Sequence, residues 1–250
     1  INDSVGYLAA GIVSFLTGWL AAEYGLRPYP FCLGILFTLA GLGLSFFAVR
    51  DTSGHVEEES SNSDLAPTGN IFWKTTWKDR NLGSITQAGL VNNLNDGMMW
   101  GLLPIILISA SFNLEDTGKI VAIYPMVWGL GQLFTGPLSD IFHKRTMLFW
   151  GMLIQAVSIA LLVLANSFAA YAATAAFLGL GTAIVYPTLL ASISQYSAPQ
   201  QRAETIGIFR LWRDLGYAIG ALLTGVVSDI FGISVAVYTI AGITFCSALI

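Results

Sequence analysis

The chain has 250 residues, of which 55% are hydrophobic and only 10% charged, with a mean hydropathy of +0.69 and a net charge of −4. A soluble domain usually carries about 25% charged residues, so the composition excludes an ordinary soluble globule. No basic patch interrupts it, which argues against a nucleic-acid partner.

The charges cluster in short stretches between apolar runs near 5–22, 30–49, 83–110, 118–139, 146–165, 168–194, 204–228 and 233–250. Roughly 20 apolar residues span a bilayer core as helix. The pattern therefore predicts an all-α membrane protein that crosses a lipid bilayer eight times. Alternating the crossings puts 50–81, 140–145 and 195–213 on one side. Those stretches hold nine of the eleven Lys and Arg residues, leaving Arg27 and Lys119 opposite. Short cytoplasmic loops carry the basic excess, so these three stretches are expected in the cytoplasm, with the protein in a plasma or inner membrane. The chain opens at Ile1 and stops at Ile250 within an apolar run, and reads as a fragment of a longer protein.

The first two runs are joined by Glu23-Tyr24-Gly25-Leu26-Arg27-Pro28. Gly6, Gly11 and Gly18 lie along the first, where small residues let helices approach closely in lipid. Cys32 and Cys246 sit within apolar runs far apart and read as small helix residues. Residues 51–80 change character. Glu57-Glu58-Glu59-Ser60-Ser61-Asn62-Ser63-Asp64 is polar, acidic and poor in aromatics, as a disordered linker is, and His55 reads as a solvated residue within it. Phe72-Trp73-Lys74-Thr75-Thr76-Trp77-Lys78 then alternates aromatics with bases, a composition suited to the headgroup region.

In the third run Asp96 follows Asn92, Asn93 and Asn95 and precedes Trp100. An ionisable group inside a membrane is costly unless it faces water or a partner, and is a functional candidate by default. Helical spacing puts Asn92 and Asp96 on one face, flanked by Asn93 and Trp100, as one wall of a polar cavity. In the fourth run Tyr124, Trp128, Gln132 and Thr135 share a face able to stack on or hydrogen-bond a solute; core packing explains the aromatics equally well, but not Gln132. The expected caps are Asp116-Thr117 for the fourth run and Ser197-x-Pro199 for the seventh. Pro104, Pro125 and Pro187 fall inside runs, where neighbours satisfy the freed carbonyls. The seventh run opens with Arg210, Arg213 and Asp214, then Tyr217 and Thr224, with Arg213-Asp214 placed for a gate or a helix-pair interaction.

Between the fourth and fifth runs stands Gly136-Pro137-Leu138-Ser139-Asp140-Ile141-Phe142-His143-Lys144-Arg145. It resembles the Gly-x-x-x-Asp-x-x-Gly-Arg-Arg/Lys loop motif of the major facilitator superfamily of transporters, with His143 where that family usually has glycine. Histidine reaches left-handed backbone less often than glycine, which counts against the tight-turn part of the motif. Arg-x-x-Arg-Asp-x-Gly-Tyr at 210–217 resembles other members too. An internal repeat agrees: Thr17-Gly18-x-x-Ala21-x-x-Tyr24-Gly25 recurs as Thr224-Gly225-x-x-Ser228-x-x-Phe231-Gly232, 207 positions later and six crossings on. Two parallel six-helix halves are the plan of that fold.

The resemblance implies a partial fold. Residues 1–50 would be the last two helices of the N-terminal bundle, 51–80 the cytoplasmic linker and 81–250 the C-terminal six-helix bundle, with roughly 125 residues upstream by the repeat period. It implies secondary active transport of a small solute by alternating access, and a cytoplasmic gate at Gly136, Asp140, Lys144 and Arg145. Proton coupling is expected because Asp96 is the one acid well inside a run. The alternative is a membrane receptor or sensor that reuses the fold without transporting. No nucleophile elbow, phosphate loop, dinucleotide motif or Cys/His ligand spacing occurs, so no catalytic residue, metal or cofactor is expected. Gly41-x-Gly43, Gly129-x-Gly131 and Gly179-x-Gly181 lie mid-helix and read as packing. Asn2-Asp3-Ser4 matches a glycosylation acceptor but falls on the cytoplasmic side.

Overall fold

A computed structural model of the protein describes residues 2–48, 70–198 and 201–250; the side chains of Asn2, Asp3 and Asp140 lie outside that description. The acidic linker with His55, and Pro199, therefore fall outside the described residues. The rest forms eight long helices: α1 (Asn2–Tyr24), α2 (Tyr29–Ala48), α3 (Arg80–Ser109), α4 (Leu114–Ile141), α5 (Lys144–Leu162), α6 (Phe168–Tyr196), α7 (Arg202–Phe231) and α8 (Ile233–Ala248). A one-turn helix at Ile71–Trp73 runs into a π-helical turn at Lys74–Lys78 just before α3. Every apolar run of the sequence is a helix.

Five of the eight are long and apolar enough to cross a membrane on their own, namely α1 from Ser4, α2, α5, α6 and α7. The other three fall short for visible reasons. α8 has 16 residues, α3 carries four buried Asn and Asp side chains, and α4 has Pro125, Pro137 and the buried Gln132 within its apolar stretch. Polar groups inside the bundle dilute the hydropathy of a helix whose neighbours shelter them.

The helix starts correct the expected caps. Asn113, not Asp116-Thr117, caps α4, accepting from the Asp116 amide at 2.7 Å. The Ser197 hydroxyl turns back to the Ile193 carbonyl, and α7 begins after Gln201 without a side-chain cap. A serine within reach of the carbonyl four residues earlier satisfies itself there instead of capping the next helix. Asp79 caps α3 through two amides, Asn81 and Leu82, each at 3.0 Å.

α3 to α8 form one bundle. α3 lies against α7, α6 lies between α4 and α5, and α8 closes against α5, α7 and α3. Lipid supplies no hydrophobic drive between helices, so close backbone approach carries the packing. A Cβ added at Gly216 or Gly220 of α7 would collide with the Leu90 or Leu94 carbonyl of α3, and one at Gly181 of α6 would meet the Gly151 carbonyl of α5 at 2.9 Å. α1 runs along α4, and a Cβ at Gly18 would stand 2.7 Å from the Gly118 Cα. The packing reading thus fits Gly11, Gly18, Gly129, Gly131, Gly179 and Gly181. It does not fit Gly6, Gly41 or Gly43, which have open space around them. α2 packs on α1 and buries none of its residues.

The turn from α4 to α5 needs no left-handed residue. Phe142 (φ −90°) and His143 (φ −63°) are both extended, and His143 is the N-cap position of α5. Histidine therefore stands there without backbone penalty.

Candidate functional site

Asp96 lies in the middle of α3 and is 0% exposed. Its Oδ1 accepts a hydrogen bond from the Tyr124 hydroxyl of α4, which also stands 3.2 Å from Thr182 Oγ1 of α6. Oδ2 is buried and makes no hydrogen bond; Tyr217 of α7 approaches the same carboxyl without closing one of standard geometry. The carboxyl is thus held at one oxygen and open at the other.

Aromatic rings surround this acid. Tyr7 of α1 stacks on Trp128 of α4, ring centres 3.4 Å apart, and meets Tyr186 of α6 edge-on at 5.9 Å. Trp128 lies 5.7 Å from Tyr124 and 5.5 Å from Tyr186. Trp100, half-exposed, contacts Tyr124 at 6.1 Å. On the far side Arg213 donates to the Tyr186 hydroxyl at 2.9 Å and lies over that ring at 5.4 Å; it also pairs with Asp214 at 2.7 Å. One continuous series of side chains from five helices therefore links Asp214 and Arg213 to Asp96.

Three buried polar atoms here lack partners: Asp96 Oδ2, Trp128 Nε1 and Gln132 Nε2. An unpaired polar group in a bilayer interior costs several kcal/mol. One acceptor and two donors left open among aromatic faces are the groups a solute with donor and acceptor atoms would satisfy.

The expected cavity residues divide into two sets. Asp96, Trp100, Tyr124 and Trp128 come together, with Gln132 one turn further along α4. Asn92 and Asn93 point elsewhere. Gln155 of α5 donates to Asn92 Oδ1 at 2.9 Å and accepts from Asn95 at 2.7 Å; Asn95 in turn accepts from Thr244 of α8 at 2.6 Å, and Asn92 donates to Asn93 at 3.2 Å. This is a closed polar network that ties α3 to α5 and α8. Thr135 donates to the Ala183 carbonyl of α6, and Thr224 bonds its own helix at Gly220.

Sequence reasoning missed Gln155, Thr182, Tyr186 and Thr244. A lone glutamine in an apolar run was the available signal for Gln155; the others look like ordinary membrane-helix residues. At the 136–145 motif, Ser139 donates to the Gly136 carbonyl at 2.7 Å, Lys144 is half-buried and Arg145 exposed. The Asp140 side chain lies outside the described residues. Arg210 is exposed, away from the Arg213–Tyr186 contact.

Apolar helices packed through glycine, closed around a buried acid, define a multi-pass helical membrane protein. The Major Facilitator Superfamily profile matches residues 86–250, and the chain belongs to that superfamily. It is 26% identical over 94% of its length to an uncharacterised MFS-type transporter of Methanocaldococcus jannaschii, of which it covers 60%. It is 30% identical over 57% of its length to the multidrug resistance protein MdtH of Aeromonas hydrophila, covering 37% of it, and 24% identical over 60% to the fosmidomycin resistance protein of Escherichia coli K12, covering 37%. The chain thus spans about three-fifths or less of these relatives. Among solved structures, a peptide transporter crystallised with sulfate superposes with a TM-score of 0.54 at 16% identity, over 66% of this chain and 36% of that one; this likeness is one of fold.

Proposed function

We propose that the chain is the greater part of an alternating-access carrier that moves a small solute across a cell membrane in exchange for, or together with, protons. In this reading residues 1–50 close the N-terminal bundle, 51–80 link the bundles in the cytoplasm, and 81–250 form the C-terminal bundle. The superfamily membership and the transporter relatives support carriage. Rocking of one bundle against the other about a central site is the mechanism such a two-lobed fold permits.

The observation that carries the proton assignment is the buried Asp96 carboxyl, bound at Oδ1 by Tyr124 and open at Oδ2. A buried carboxylate is stable only with a compensating charge or a proton. Asp96 takes the proton when the site closes and yields it when solvent or a solute donor reaches Oδ2. Trp128, Gln132 and the tyrosine rings hold the solute beside it, and Arg213 with Asp214 anchors α7 to Tyr186 on the cytoplasmic side. Gly136, Asp140, Lys144 and Arg145 act as the cytoplasmic gate.

The test uses the full-length protein in proteoliposomes with a panel of labelled organic solutes and an internal pH dye. Coupling predicts that solute and proton fluxes rise together, and that Asp96→Asn still exchanges solute at equilibrium but no longer accumulates it along a pH gradient. Accumulation by Asp96→Asn equal to wild type would remove Asp96 from the coupling step.

A further inference from the structure

We infer that the segment before α3 and the cytoplasmic end of α7 form a binding site for an anionic phospholipid, with its headgroup on Lys74, Lys78 and Arg80 and its acyl chain in the adjoining cleft. The segment has two faces. Ile71, Thr75 and Thr76 are buried, and the Trp212 indole donates to Thr76 Oγ1 at 3.1 Å. The segment is thereby fixed to α7. The opposite face presents Trp73 (48% exposed), Lys74, Trp77 (70% exposed) and Lys78, with Arg80 following. Exposed tryptophans and bases together belong at the level of lipid headgroups.

The intervening acid offsets only part of this charge: three bases stand against one carboxylate, and Asp79, whose Oδ1 caps α3, forms no ion pair with any of them among the described residues. Beside them opens a cleft of about 340 Å³ between Trp77, Trp212, Gly83 and Leu90, with Arg80 at its edge. Trp77, Leu90, Trp212 and Ile250 give it apolar walls, with Asp79, Ser84 and Gln87 also on its lining, so the bases suit a phosphate and the apolar walls suit hydrocarbon. An anionic phospholipid supplies both in one molecule. The chain's own acidic stretch at 57–64 offers the charge but has no aromatic or large apolar residue to fill the cleft. Trp212 adjoins Arg213 in sequence, so a lipid seated here braces the helix that holds the Arg213–Tyr186 contact.

The experiment reconstitutes full-length protein in nanodiscs of mixed phosphatidylglycerol and phosphatidylcholine, then releases it in a native mass spectrometer and counts retained lipids. We expect phosphatidylglycerol to be retained over phosphatidylcholine, with each base contributing about fivefold in preference. Lys74→Gln/Lys78→Gln/Arg80→Gln should abolish the preference. Trp77→Ala keeps the charges and should cut total retention while some preference persists. Trp fluorescence in discs containing brominated phosphatidylglycerol should show stronger quenching in wild type than in Trp77→Phe. Equal retention of the two lipids, or a preference unchanged by the triple substitution, would overturn the proposal. So would a stoichiometric protein partner lost on the same substitution with no lipid preference, which would assign the face to that partner.

Discussion

The network centred on Gln155 is the sharpest test of how the bundle holds together. Replacing Gln155 by Leu keeps a side chain of similar size but removes two interhelical hydrogen bonds, to Asn92 Oδ1 at 2.9 Å and from Asn95 at 2.7 Å. Interhelical bonds in membrane proteins average about 0.6 kcal/mol, so the bonds alone contribute about 1 kcal/mol. Gln155 and both asparagines are buried at no more than 1% exposure, so neither orphaned group reaches water. Each of the two buried orphans costs about 1–3 kcal/mol, a penalty that already includes its lost bond, so the expected loss is about 2–6 kcal/mol. Ser158→Ala on the same helix is the control, because its hydroxyl bonds only the Ile154 carbonyl of its own helix at 2.7 Å. Reversible unfolding of the full-length protein in detergent micelles measures both variants. If Gln155→Leu lies within about 0.5 kcal/mol of Ser158→Ala, a margin typical of neutral substitutions, the network does not tie α3 to α5.

Further expectations follow from single contacts. Gly220→Val drives a side chain into the Leu94 carbonyl and should lower stability by about 1–3 kcal/mol, whereas Gly225→Val, which enters open space, should not; the same unfolding assay reads both. Tyr124→Phe removes the hydrogen bond to Asp96, about 1.5–3 kcal/mol for a bond to a charged group, and should slow gradient-driven transport about tenfold or more while leaving the protein folded by gel filtration. Arg213→Gln loses the bond to Tyr186 and the pair with Asp214, and should impair transport more than Asp214→Asn. Asp214 is exposed, and exposed pairs are worth about 0–1 kcal/mol; initial transport rates of the two variants decide it.

The helices were readable because a bilayer calls for about 20 apolar residues per crossing, a signal that is full in α1, α2, α5, α6 and α7, diluted in α3 and α4 and shortened in α8. The superfamily was readable from the 136–145 and 210–217 motifs. Asp96 stood out for the same reason, a charge where charges are expensive. What the sequence could not resolve was direction around each helix axis. Asn92 and Asp96 occupy neighbouring positions on one face, yet Asn92 meets Gln155 and Asp96 meets Tyr124, because two partner helices divide that face between them. Tyr186 was invisible for a related reason. A tyrosine within an apolar run reads as packing until an arginine from another helix is seen to reach its hydroxyl. The α4 cap was misplaced because Asn113, Asp116 and Thr117 are all competent caps, and only backbone geometry selects among them.

Whether Asp96 gains and loses a proton can be observed without knowing the solute. Infrared difference spectra of the full-length protein, recorded between acid and alkaline pH, report the carbonyl stretch of a protonated carboxyl. The account predicts a buried protonated-carboxyl band in wild type that disappears on the alkaline side, shifts in Tyr124→Phe and is missing from Asp96→Asn. Spectra of wild type and Asp96→Asn that match throughout that region would contradict it.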